Sequence, residues 1–162
     1  MNRRTTRTTR STATAFASAI ALVAGLALGG CSSADGSDAA PKLEVSGAFM
    51  PEPVNGEMAG GFLSITNLSG VDDTLTSVTS DLSDDVQLHE TKDQKMQQVT
   101  SFPLPAHDEL QLRRGGDHLM FMGLKRTPKQ GDKVSIELHF QKSDPIKVEL
   151  PVEARNHNPQ HH

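Results

Sequence analysis

Between residues 43 and 152 the chain is written largely in period two. Lys133 to Gln141 places Val134, Ile136, Leu138 and Phe140 on one side, and Ile146, Val148 and Leu150 repeat the pattern shortly afterwards. Such alternation marks strands with one face on a core, because successive side chains of an extended chain point to opposite faces. Further strands are predicted over Leu43–Met50, Ala59–Asn67, Thr74–Thr79, Val86–Thr91, Lys95–Phe102, Glu109–Arg113 and 117–123. Turn signals fall between them at Met50-Pro51-Glu52-Pro53, Asn55-Gly56, Asn67-Leu68-Ser69-Gly70, the Asp/Ser-rich stretch 80–85, Lys92-Asp93-Gln94 and Gly115-Gly116. Pro103 and Pro105 are expected to end the strand begun at Lys95, since proline brings no N–H to a sheet ladder. After residue 31 no sustained helical period occurs. The expectation is an all-β domain, an antiparallel β-sandwich with Greek-key connections.

The two ends are of a different character. Arg3, Arg4, Arg7 and Arg10 precede a mostly apolar run, Ala15 to Leu28, that is short for a membrane span and reads as a secretory signal. It closes in Leu28-Gly29-Gly30-Cys31, which resembles a bacterial lipoprotein cleavage site with Cys31 as the lipidated residue. Cys31 is also the one cysteine of the chain, so neither an internal disulfide nor a thiolate metal site is available. The expected layout is a signal peptide at 1–30, a lipidated cysteine with a flexible Ser/Asp/Ala/Gly tether at 31–41, a folded domain at 42–152, and a polar tail at 153–162. That tail carries His157, His161 and His162 and is expected to be disordered without a specific role.

Charge narrows the partners. Without the four leader arginines the chain holds 12 basic against 20 acidic side chains, and a surface of that sign repels nucleic acid. No Gly-x-Ser-x-Gly elbow, phosphate-cradling glycine loop or His-Glu-x-x-His motif occurs, so the reading is of a protein that is not an enzyme.

Parity then isolates a set of polar and sulfur side chains. In Asp117-His118-Leu119-Met120-Phe121-Met122-Gly123, Leu119 and Phe121 take one face and His118, Met120 and Met122 the other. In Val86-Gln87-Leu88-His89, core positions at Val86 and Leu88 turn His89 away, and a core Val99 turns Met96 away. Taken singly, each has an ordinary reading: methionines fill cores and strand histidines are solvated. Jointly, His89, Met96, His118 and Met120 offer two nitrogen and two sulfur donors, with Met122 as an accessory sulfur or a packing residue. Thioether and imidazole suit Cu(I) and are poor ligands for hard ions. His107, His139 and Met58 are read as loop, surface and packing residues.

The segment Leu112-Arg113-Arg114-Gly115-Gly116-Asp117-His118-Leu119-Met120-Phe121-Met122-Gly123-Leu124-Lys125, continuing through Lys129 to Val134, resembles the signature of the PCu(A)C periplasmic copper chaperones, as does Val86 to Thr91 upstream. The interval of 21 residues between Met96 and His118 matches that family, whereas the six residues between His89 and Met96 are fewer than its pattern has. Arg114 stands where the family usually has proline, and Asp117 where an aromatic residue or histidine is common. The resemblance implies a cupredoxin-like sandwich that binds Cu(I) and delivers it to a copper-receiving protein, such as a cytochrome oxidase subunit or another assembly chaperone. The lipid anchor would hold it to the outer face of the cell membrane. Two other readings stay open from the residues: a copper scavenging or tolerance lipoprotein, and a metal-independent interaction module. Blue-copper electron transfer is disfavoured, because it needs a cysteine ligand.

Overall fold

The computed structural model describes residues 40–159; Cys31, the leader, most of the tether and the last three residues lie outside the described residues. Ten strands follow in order: β1 (Leu43–Pro51), β2 (Met58–Asn67), β3 (Asp73–Ser80), β4 (Asp85–Lys92), β5 (Lys95–Val99), β6 (Phe102–Leu104), β7 (Glu109–Leu112), β8 (His118–Met122), β9 (Lys133–Phe140) and β10 (Ile146–Glu153). They form one hydrogen-bonded path, β5-β4-β8-β2-β1-β10-β9-β3-β6, with β7 added to β2. The apolar faces of its two halves share a single core that includes Leu63, Leu88, Leu119 and Phe121 from one half and Leu75, Ile136, Leu138 and Leu150 from the other. This is the all-β, cupredoxin-like sandwich that the alternation and the resemblance implied.

Two features depart from the expected pattern. One pairing is parallel: β1 meets β10 at Met50↔Val152 and Pro51↔Glu153, while its earlier part pairs antiparallel with β2. A register shift between Ser46 and Phe49 bends β1 from one partner toward the other. The second departure is at Pro103. The expected strand 95–102 is two strands, and Phe102-Pro103-Leu104 pairs with β3 at Asp73↔Leu104 and Leu75↔Phe102. Because β6 ends the path, the missing N–H of Pro103 falls where no further strand needs it.

A buried carboxylate ties the start of β3 to the loop that follows β9. Asp73 is 3% exposed, and its oxygens accept from the amides of Thr74 (2.8 Å), Lys142 (2.9 Å) and Ser143 (3.0 Å) and from the Ser143 hydroxyl (2.6 Å). Burial pushes its pKa up, but the hydrogen bonds from Ser143, Thr74 and Lys142 together outweigh it and leave the group below the ordinary 3.8. Asp73→Asn puts an amide donor among donors and should cost about 1–3 kcal/mol in urea denaturation. A carboxyl with a lowered folded-state pKa contributes stability above its unfolded value and loses it as pH falls through the folded one. The deficit of the variant should therefore be full at neutral pH and shrink once pH drops below 3.8. A deficit independent of pH would assign it to packing instead.

Candidate metal centre

Three adjacent strands, β4, β8 and β2, build the face that carries three of the four predicted donors, His89, His118 and Met120, and their register sets which side chains meet. Across β4 and β8 the partners are His89↔His118, Gln87↔Met120 and Asp85↔Met122. Across β2 and β8 they are Gly60↔Met120 and Met58↔Met122. Directly opposed residues share a face, so His89, His118, Met120, Met122 and Met58 all lie on the side away from Leu88, Leu119 and Phe121. The two imidazoles are close, with ring centroids 5.5 Å apart and planes inclined by 52°.

This face is not simply solvent. His118 is only 6% exposed. The Phe62 ring stands 6.4 Å from it, centroid to centroid, and the Arg114 guanidinium carbon lies 5.7 Å from the Phe62 centroid. Arg114 is held in turn by the Arg155 carbonyl at 2.8 Å. His118 therefore faces away from the core and is nevertheless enclosed, which differs from the open surface that alternation alone suggested. Arg155 belongs to the segment expected to be a featureless tail, and its neighbour His157 packs its ring edge-on to Phe49 at 5.0 Å.

The hydrogen bonds fix which nitrogen of each histidine is free. His118 Nδ1 lies 2.8 Å from the Gly116 carbonyl, which can only accept, so Nδ1 carries the proton and Nε2 keeps its lone pair. Gly116 is presented by the turn between β7 and β8, where Arg113 N–H donates to the Asp117 carbonyl at 2.7 Å and Gly115 takes a left-handed φ of +74°. The same Gly116 carbonyl accepts from the Thr91 hydroxyl at 2.8 Å. For His89 the reference is Gln87. The Gln87 amide nitrogen donates to Asp85 Oδ2 at 2.9 Å, which leaves its Oε1 to accept from His89 Nε2 at 2.9 Å. His89 Nδ1 then has the lone pair, and it is buried with no hydrogen-bond partner.

A buried acceptor without a donor is costly, and here an ion is a fitting partner. Burial, followed by the charge of His118, pushes the His89 pKa below the ordinary 6.5 and favours the neutral, ligating form. Among the described residues no group of three or more His, Cys, Asp or Glu is placed to hold a metal. Met120 follows His118 by two residues on the same face, and the donor set suits a soft cation such as Cu(I).

Met96 sits apart from the other three. It pairs with Thr91 on the edge strand β5, diagonal to His89, and is 63% exposed. Diagonal neighbours in a sheet stand about 7–8 Å apart. The reason is the two-residue turn at Asp93 and Gln94, both in left-handed φ (50° and 62°), which locks Lys92 opposite Lys95 and leaves no slack for β5 to curl over the face. Gln87, Phe62, Arg114 and Gly116 were not among the expected site residues. Gln87 was accessible to the same parity rule, standing two residues before His89, but the contacts of Phe62 and Arg114 depend on chain pairing that no local pattern encodes.

Comparison with known proteins places this geometry. A family model described as "Putative lipoprotein LpqE-like" matches residues 43–152. The chain belongs to the LpqE-like family. A protein of Leifsonia xyli subsp. xyli (strain CTCB07), described as "Putative lipoprotein Lxx21020", is 33% identical over 115 residues, covering 68% of this chain and 69% of that one. Among solved structures, a copper-bound PCuAC domain from PmoF2 superposes with a TM-score of 0.64 at 21% identity, covering 72% of this chain and 96% of that one. The Cu(I) form of DR1885 from Deinococcus radiodurans gives a TM-score of 0.59 at 25% identity, covering 73% and 80%. The resemblance to the PCu(A)C family, read first from the residues around His118, is borne out.

Proposed function

We propose that this LpqE-like protein is an exported lipoprotein and copper chaperone that carries Cu(I) on the β4–β8 face and passes it to a copper-receiving protein, a cytochrome oxidase subunit or another assembly chaperone. The observation that carries this reading is the pair of neighbouring imidazoles with complementary tautomers, one of them ending in a buried, unpartnered Nδ1. The copper-bound and Cu(I) forms of the similar PCuAC structures support it, and the lipoprotein descriptions of the family and of the Leifsonia protein support anchorage at Cys31.

In this reading His89 Nδ1, His118 Nε2 and Met120 Sδ hold the ion, and Met96 closes the set from the edge strand. All four donors are neutral, so the soft ion is bound without a thiolate and can be surrendered to an acceptor that offers one. Met96, the most exposed of the four, is the donor an incoming acceptor displaces first.

Delivery is tested by deleting the gene and measuring oxidase activity. The expected loss is rescued by the natural protein and not by one carrying His89→Ala and His118→Ala. Copper sensitivity with intact oxidase activity would instead assign scavenging. Gln87 is a positioning residue in this scheme: Gln87→Ala should weaken Cu(I) by about 10–100-fold, the usual cost of losing the partner that orients a ligand histidine. Competition against a chromogenic chelator measures it, and unchanged affinity would remove Gln87 from the site.

A further inference from the structure

The face that bears the histidines continues past Met120 into a second group of sulfur donors. Met58, in the first position of β2, stands directly opposite Met122 of β8, and Met122 follows Met120 by two residues on the same face. Cβ atoms of opposed residues lie about 4.5–5.5 Å apart, and alternate residues on a strand about 6.6 Å apart. Methionine side chains have three rotatable bonds beyond Cα, enough to bring three sulfurs together over such a triangle. Gly60 faces Met120 and contributes no side chain between them. Met58 and Met120 also line an open depression of about 330 Å³ with Val54 and Phe62.

Met58 is 45% exposed, and Val54, on the rim of the same depression, is 81% exposed. Met58 is thus accessible to an ion arriving from the depression.

We propose that Met58, Met122 and Met120 form a second, all-thioether station for a soft monovalent cation, Cu(I) or Ag(I), adjoining the histidine pair and sharing Met120 with it. Three neutral thioethers make a trigonal soft site that a hard divalent ion does not enter. Through Met120 the station is continuous with His118, so an ion can move between the exposed depression and the enclosed imidazoles by exchanging one donor at a time. The inference rests on the copper reading only in taking Met120 as a ligand common to both stations.

The test is a titration of the natural protein with Ag(I), followed by NMR of assigned methionine methyl groups and histidine ring protons. The expected result is two equivalents per chain. The first moves the His89, His118, Met120 and Met96 signals, and the second, weaker by at least about tenfold, moves Met58 and Met122 together and shifts Met120 again as its sulfur bridges the two ions; a tenfold difference is about 1.4 kcal/mol. In Met58→Leu/Met122→Leu the second equivalent should vanish and the first remain. If the histidine signals move and those of Met58 and Met122 do not, the second station is overturned while the histidine centre stands. If none of these signals moves, both fall.

Discussion

Phe121→Ala should destabilise the protein by about 3–5 kcal/mol, the cost of removing a buried aromatic ring and leaving its cavity. Phe121 is fully buried on the core face of β8, opposite the side that carries His118 and Met120. Its seat is made by Gly61 on β2, where a Cβ would stand 2.8 Å from the ring's Cε2 and 3.3 Å from Leu150 Cδ1. Gly61→Ala alone should then cost about 1–3 kcal/mol by overpacking. The two changes answer each other, because the methyl enters space that the missing ring has vacated. The double variant should be more stable than the sum of the single costs predicts, by about 0.5–3 kcal/mol of coupling. Urea denaturation of the four proteins measures it, and strictly additive costs would mean that Gly61 is not there for the ring.

The β8 segment shows how much of the fold and site could be read from residues alone. Alternation placed Leu119 and Phe121 on the core and His118 and Met120 away from it, and both residues of the first pair are fully buried. The same rule placed His89 opposite Leu88 and Met96 opposite Val99, in keeping with the pairing Leu88↔Val99. Long-range pairing was not legible. Pro103 reads locally as a strand breaker, and only its position at the end of the sheet path makes it tolerable. The parallel junction of β1 and β10 joins residues about a hundred positions apart, and nothing in either strand announces it. His118 becomes enclosed through Phe62, Arg114 and Arg155, contributed by three separate parts of the chain. The distance of Met96 from the histidine pair is a property of two left-handed residues in a turn, a conformation that Asp93-Gln94 does not advertise as Asn-Gly would.

His89→Leu should abolish tight Cu(I) binding without weakening the metal-free protein, and that opposition of effects distinguishes a ligand from a structural histidine. The loss of affinity should exceed the roughly 100-fold that removal of an orienting partner causes, because the donor itself is gone. The metal-free fold should be as stable as the natural one or more so. His89 Nδ1 is buried without a donor, and an unsatisfied buried polar atom costs about 1–3 kcal/mol. Leucine removes that cost, at the loss of one hydrogen bond to Gln87. His118→Leu should lose copper to a similar extent but gain no stability, since His118 Nδ1 is already satisfied by Gly116. Met96→Leu should have the smallest effect on affinity of the four proposed donors, in keeping with its exposure and its place on the edge strand. Competition titrations with Cu(I) and thermal unfolding of the metal-free variants give both quantities. A His89→Leu protein that melts well below the natural one, or that still takes up Cu(I) with unchanged affinity, would show that His89 is held for packing and not for an ion.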